Sequence, residues 1–230
     1  MDGVAEYAAT WGRSKLTWQQ VEQFASTLAI TSVDRERVAR TLYEFPPDGM
    51  VRGLFFGALR QVLERNAGIA EAAALIEMHG IPKRLVPFSL YHHRDFYKLW
   101  FAAIPVAHRG ATISQGMERI AETFFPIWLE SAAGRTMGLL LGSEPITIVK
   151  RLRDAYAVSV PHNDHKIEIL SDVHVRWIGK VEPSPFFIET FRGILTGTMS
   201  SQGVARPRFD GRIEGPVGNH HQRVVFDLTW

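Results

Sequence analysis

The chain has 230 residues, with 26 lysines and arginines against 24 acidic residues, a formal net charge of +2 and no cysteine. A nearly balanced charge without dense basic runs argues against a nucleic-acid-binding protein. The lack of cysteine excludes disulfides, thiolate metal sites, iron–sulfur clusters and cysteine nucleophiles, and it fits a reducing cytoplasm, where we expect the protein to reside.

We predict no membrane span. The most apolar stretch, residues 134–148, is too short to cross a bilayer and is interrupted by Arg135, Glu144 and Pro145. Residues 1–13 contain acidic residues and no apolar run, so they do not resemble a signal peptide.

Helical periodicity dominates the first two-thirds of the chain. Thr17 and Gln20 form a capping-box pattern before an apolar stripe, which predicts a helix start. The Pro- and Gly-containing break at 45–49 predicts a boundary between a helical extension, residues 1–45, and a main domain, residues 46–230. The pattern predicts a short helix after Thr31 and further helices over 51–62, 68–78, 94–107, 113–129 and 134–142, and after Ser143.

The apolar period changes to two near residue 156, which predicts strands. A hairpin is expected from 156–160 and 167–169 around a turn at 161–164, followed by a strand at 173–177. A helix over 185–202 precedes two last strands, 206–214 and 223–230. The predicted fold class is α+β, an N-terminal helical layer packed on a small C-terminal antiparallel sheet interrupted by one helix.

Several segments resemble a paralogous family of uncharacterised bacterial proteins, expanded in myxobacteria and known as a domain of unknown function. The resemblance covers about residues 46–230 and is carried by these segments: VRGLFFGAL at 51–59, YHHRDF at 91–96, GRTMG at 134–138, LRDAYAVS at 152–159 and FDLTW at 226–230.

The order of elements also resembles a wider superfamily of haem nitric-oxide-binding domains, vinyl-reductase-type effector domains and Golgi transport-particle subunits. This resemblance implies helices against a small sheet, a ligand or nothing between the layers, and dimers formed through helical faces. Haem-binding members use a helix histidine and a Tyr-x-Ser-x-Arg clamp. Residues 146–153 contain no histidine at the corresponding place, and the clamp is absent from the chain, so we expect no haem and no other cofactor.

Nine histidines raise the question of metal or acid–base chemistry. The HNDH sequence at 162–165 could offer two imidazoles and a carboxylate to a metal, but a turn accounts for it more simply. Similarly, the HHRD sequence at 92–95 could hold a general base, whereas Asp95 in a first helical turn complements the helix dipole. Motifs of serine hydrolases, nucleotide-binding loops and zinc proteases are absent, so we predict neither a metal site nor an enzyme.

Aromatic residues are abundant where the two layers should meet, and Arg135 is a lone charge in the most apolar stretch. A structural ion pair would explain this arginine, and an anchor for an acidic ligand is the alternative. The predicted ligand-binding residues are Arg135, Phe124, Trp128, Tyr156, Trp177 and Phe187.

The sequence thus favours a non-catalytic sensory or ligand-binding domain that holds a small apolar or acidic molecule between helices and sheet as a homodimer. The alternatives are a protein-interaction scaffold similar to Golgi transport-particle subunits, with a filled core and no ligand, and a haem-type gas sensor.

Overall fold

The computed structural model describes residues 15–130, 135, 142–218 and 220–230. Eight helices and six strands lie in these residues, and the helical part comes first, so the predicted α+β class is confirmed. The elements are α1 Trp18–Thr27, α2 Ser32–Glu44, β1 Met50–Arg52, α3 Gly53–Ala67, α4 Ile69–Met78, β2 Leu90–His92, α5 His93–Ala107, α6 Ile113–Leu129, α7 Pro145–Ser159, β3 Asp164–Ser171, β4 His174–Val181, α8 Phe187–Ser201, β5 Arg208–Pro216 and β6 Gln222–Thr229.

Side-chain caps explain where two of the helices begin. The predicted capping box is present at α1. The Thr17 hydroxyl accepts from the Gln20 backbone amide, and the Gln20 side-chain oxygen accepts from the Thr17 backbone amide. Thr112 and Gln115 build the same box at α6. Each box pairs two amides that the first helical turn would otherwise leave without a partner.

The C-terminal sheet is antiparallel, with strand order β3-β4-β6-β5. Val175 and Trp177 of β4 are fully buried, as their alternation with polar neighbours predicts. Helix α8 interrupts the sheet in sequence, between β4 and β5, also as predicted. A second, two-stranded ribbon joins β1 to β2, and the sequence pattern missed it because each strand has only three residues.

The predicted strand at 156–160 is wrong, because α7 continues to Ser159. Leu152 and Tyr156 lie one helical turn apart on its buried face, while Val158 is exposed. The connection at 160–163 therefore joins a helix to β3, and the hairpin turn lies instead at 172–173, between β3 and β4. Val173 belongs to this turn and is exposed.

The predicted helix over 134–142 falls outside the described residues except for Arg135 and Gly142. No helix in the described part of the chain is both long and apolar enough to cross a membrane.

Helices α1 and α2 contribute to the same hydrophobic core as the later elements. The buried Arg94 side chain of α5 donates to the Phe45 carbonyl at 2.7 Å. The Arg37 guanidinium of α2 lies 4.4 Å above the Phe186 ring. Asp34 accepts from the Ile113 amide at the start of α6. Helix α2 and the residue that follows it are therefore packed against α5, α6 and the residues that precede α8.

Helices α6 and α8 pack unusually closely. A Cβ atom added at Gly197 would lie 2.0 Å from the Glu122 carbonyl oxygen, and one added at Gly193 would lie 2.3 Å from the Glu118 carbonyl oxygen. Beside this crossing, Arg192 of α8 forms a two-pronged ion pair with Glu118 of α6, at 2.7 and 2.6 Å. Glycine is thus required at positions 193 and 197, because the backbone of α8 lies directly against the backbone of α6 there.

We predict that Gly197→Ala lowers the free energy of unfolding by about 1–3 kcal/mol, because the added methyl group forces the helices apart. Gly57 of α3 is the matched control, since nothing lies within 4 Å of an added Cβ there. Gly57→Ala should stabilise the fold by up to about 1 kcal/mol through helix propensity. Urea denaturation of both variants measures the difference, and equal effects would contradict the close crossing.

Candidate functional site

A buried polar centre lies between the helical layer and the sheet. Its carboxylate is Glu182, directly after β4, with only 1% of its surface exposed. His93 is the first residue of α5, and His162 lies in the connection between α7 and β3. One ligand-type atom from each of these three side chains lies within 4.8 Å of the other two. Three separate parts of the chain therefore bring two imidazoles and a carboxylate together.

The Glu182 carboxylate is held by hydrogen-bond donors from two directions. The Tyr97 hydroxyl of α5 donates to Oε1 at 2.9 Å, and the Asn163 side-chain amide donates to Oε2 at 2.6 Å. His162 Nε2 lies 3.7 Å from Oε2. Donors to a charged oxygen are the strong kind of hydrogen bond, and they offset part of the cost of burying the charge.

The two histidines face each other. His93 Nδ1 and His162 Nε2 are 3.3 Å apart. His162 Nδ1 lies 3.2 Å from the Met50 carbonyl oxygen and 3.3 Å from the Met50 amide nitrogen of β1, so it can donate to the first or accept from the second, depending on its tautomer. Two imidazole nitrogens at this distance repel unless a proton or another cation lies between their lone pairs.

The charges of the centre follow from burial and its hydrogen bonds. Burial opposes ionisation of Glu182, but the neighbouring His162 and His93 imidazoles and the hydrogen bond from the Asn163 amide hold the pKa of Glu182 well below its usual range. Burial lowers the pKa of His93 to about 3, against the attraction of Glu182. Burial also raises the pKa of Tyr97 well above its usual value. At neutral pH the centre thus contains an ionised carboxylate, a neutral His93 and a neutral phenol.

A cavity of about 10 Å³ adjoins this centre, and His93, Tyr97 and Glu182 form part of its wall. That volume corresponds to about one water molecule. The remaining wall is mostly apolar and aromatic: Val51, Phe55, Phe96, Trp100, Phe124, Tyr156, Val160, Thr190 and Ile194. Side chains of the protein itself therefore fill most of the space between the layers.

The structure brings two of the predicted ligand-binding residues, Phe124 and Tyr156, to this cavity wall. Trp177 and Phe187 are fully buried beneath the sheet, and both contact the Phe191 ring. Trp128 is half-buried and packs on Phe125.

Arg135 is exposed and donates to the Glu130 carbonyl oxygen. The apolar residues on both sides of Arg135 in the sequence lie outside the described residues.

Sequence reasoning missed the polar centre as a unit. The HNDH sequence suggests His162 and His165 as a pair of metal ligands, but the Nδ1 of His165 accepts from the Trp177 indole at 2.9 Å. The sequence singles out His93 only as part of the HHRD segment. Nothing in the sequence marks Glu182 except its place as an acidic residue directly after a strand with buried alternate residues.

The C-terminal four-fifths of the chain match a known sequence family. Residues 46–230 match the sequence family DUF2378, whose members are described as proteins of unknown function. The chain belongs to the DUF2378 family. No curated protein matches this DUF2378 chain.

Solved structures of H-NOX proteins have a similar fold. An H-NOX protein from S. oneidensis in the Fe(II) ligation state has a TM-score of 0.55 and 15% identity, over 78% of this chain and 96% of that chain. A Tt H-NOX variant has a TM-score of 0.60 and 8% identity, over 77% and 94%. A structure described as modulating haem redox potential through porphyrin distortion has a TM-score of 0.60 and 8% identity, over 78% and 99%. At this identity the similarity shows the fold alone, and it confirms the fold expected from the order of elements.

The described residues of the DUF2378 chain do not fit a haem. Pockets for organic ligands have volumes of roughly 300–1,000 Å³, whereas the interlayer cavity has about 10 Å³. The buried face of α7, which includes the segment 146–153 where the resemblance led us to look for a haem ligand, consists of Ile148, Val149, Leu152 and Tyr156 and has no histidine. The histidines between the layers are already engaged, His93 and His162 near Glu182 and His165 with Trp177.

We predict that Tyr97→Phe lowers the free energy of unfolding by about 1.5–3 kcal/mol, because the buried Glu182 carboxylate loses a hydrogen bond to a charged group. Tyr43→Phe is the control, since Tyr43 is exposed, and its effect should stay within about 0.5 kcal/mol. Chemical denaturation at neutral pH compares the two variants. Equal stabilities would show that Tyr97 does not support the carboxylate.

Proposed function

We propose that this DUF2378 protein is a non-catalytic sensory domain that carries no haem and whose ligand position is reduced to the polar centre of Glu182, His93 and His162. The observation that carries the proposal is the cavity of about 10 Å³, whose wall includes the Glu182 carboxylate and His93. A space of this size accepts a water molecule or an ion. The H-NOX-like fold supports a ligand position between the layers, although it does not identify a ligand.

The electrostatics of the centre support a non-catalytic role. A general acid or base works best when its pKa lies near the working pH. Interactions within the centre hold the pKa of Glu182 far below neutrality, burial lowers that of His93 to about 3, and burial raises that of Tyr97 well above its usual value. These three groups are therefore poorly suited to exchange protons with a substrate at neutral pH.

The small apolar or acidic molecule expected from the sequence does not match the charge and the volume of this cavity. An ionised Glu182 in the cavity wall repels an acidic group, and an apolar molecule needs a larger space. Phe124 and Tyr156 remain proposed as wall residues of the ligand position. The role of Arg135 as an anchor remains a proposal that concerns the surface, because this side chain is exposed.

A second function, a protein-interaction scaffold, is favoured by the filled core. Trp100, Phe96 and Phe124 pack ring against ring where a ligand pocket would lie, with centroids 4.9–6.1 Å apart. Val86, Phe88 and Leu90 are exposed in one segment before α5, where a partner or a second copy of the chain could cover them.

The narrower expectations also stand as proposals: a homodimer, a cytoplasmic location, membership of a myxobacterial paralogous group, and a boundary between an extension over 1–45 and a domain over 46–230. Native mass spectrometry of the full chain reports the subunit count directly.

We predict that the purified full chain shows no Soret band, and that added hemin produces no saturable one-to-one band, because the interlayer space is already filled. A visible absorption titration measures this, with the H-NOX protein from S. oneidensis as positive control. Native mass spectra should show no bound organic molecule. Stoichiometric haem, or a co-purified organic ligand that survives buffer exchange, would overturn the proposed function.

A further inference from the structure

The ligand that the polar centre is built to take can be inferred from its donor atoms. Two imidazoles and one carboxylate form the set common at sites for zinc and other divalent transition metals. In the described part of the chain, these three side chains are the group whose donor atoms converge within 4.8 Å. His93 and Glu182 are buried, so their convergence is fixed by the fold and not by chance contacts at a surface.

Two of the three distances between the donor atoms are close to those of a tetrahedral ion. With metal–ligand bonds of 2.0–2.1 Å, two ligand atoms of a tetrahedral zinc site lie roughly 3.4 Å apart. The distance from His93 Nδ1 to His162 Nε2 is 3.3 Å, and that from His162 Nε2 to Glu182 Oε2 is 3.7 Å. The two imidazole nitrogens face each other, and a metal cation can take the place of the proton between them.

Neighbouring groups orient two of the three donors, His162 and Glu182, as the outer shell of a metal site does. If His162 Nδ1 carries its proton, it donates to the Met50 carbonyl oxygen and leaves Nε2 free for a metal. Tyr97 and Asn163 hold the Glu182 carboxylate. The Asn163 side-chain oxygen is buried and has no hydrogen-bond partner in the structure. That unpaired acceptor can take a further donor, such as a metal-bound water.

We propose that His93, His162 and Glu182 bind one divalent transition-metal ion, Zn²⁺ by its donor set, with a water molecule from the adjoining cavity as the fourth ligand. This inference rests on the proposed function, because it names the ligand of the same centre. The cavity of about 10 Å³ has room for that water and for little else.

Metal titration of the full chain tests the proposal. Protein stripped with a chelator is titrated with Zn²⁺ by calorimetry, and Co²⁺ replaces Zn²⁺ for visible spectroscopy. We expect one ion per chain, an absorption spectrum typical of tetrahedral Co²⁺ and a higher thermal midpoint with metal. Absence of saturable binding to the wild-type chain would overturn the proposal.

Variants locate the ion. His162→Gln and His93→Gln should each weaken binding by at least about 100-fold, and Asn163→Ala, which removes an outer-shell group, by about 10-fold. His174→Ala is the matched control, because His174 also contacts a carboxylate, Asp227 at 3.0 Å, but on a different part of the sheet. This control should bind Zn²⁺ like the wild type.

Folding of each variant is checked by circular dichroism. His162 is the most informative position, since it lies in a connection and its side chain retains 10% exposure. Undiminished one-to-one binding in both His→Gln variants would place the ion elsewhere and overturn the assignment. Failure to bind Zn²⁺ in a chain that is also free of haem would reject only the metal, whereas bound haem would reject the proposed function itself.

Discussion

The arrangement of the two layers depends on the hydrogen bonds that the buried Glu182 carboxylate accepts. A carboxylate removed from water is expensive unless donors surround it, and here the donors come from α5 and from the connection between α7 and β3. Helix α5, that connection and the end of β4 must therefore meet in one register. An apolar contact would tolerate sliding between the layers, whereas a charge with directional partners does not.

Around this charge, side chains fill most of the space between the two layers. Phe96, Trp100 and Phe124 contact one another, and Tyr97 turns its hydroxyl from the same aromatic cluster toward Glu182. Interiors are packed to the density of organic crystals, so a fold that accommodates a cofactor elsewhere can be closed by large rings without changing its order of elements. The similarity to H-NOX structures and the lack of room for a haem are thus compatible, because the fold is set by the layers and the pocket by side chains within them.

The sequence predicted the elements far better than it predicted the centre. Capping at Thr17 and the alternation through Val175 and Trp177 are local signals, and both were sufficient. Residues 156–160 were wrongly predicted as a strand because tyrosine and valine alternate there. Residues 156–159 continue helix α7 instead, since this places Leu152 and Tyr156 on one buried helical face. The meeting of residues 93, 162 and 182 is a product of tertiary structure alone. No spacing along the chain encodes it. The aromatic pattern of the sequence could predict only residues of the cavity wall, such as Phe124 and Tyr156.

The position of the centre brings it into contact with the residues that directly follow α2. The Phe45 ring lies 5.0 Å from the His93 ring and 6.1 Å from the His162 ring, and the Phe45 carbonyl accepts from Arg94. Phe45 directly follows α2, and the Gly49 carbonyl accepts from the His93 amide. A change in what lies between the two imidazoles would alter contacts with this junction as well as with the sheet. A ligand shifts a conformational equilibrium only through contacts that differ between the two states. Under the proposed function, the contacts of Phe45 are those through which a change at the centre would reach α2.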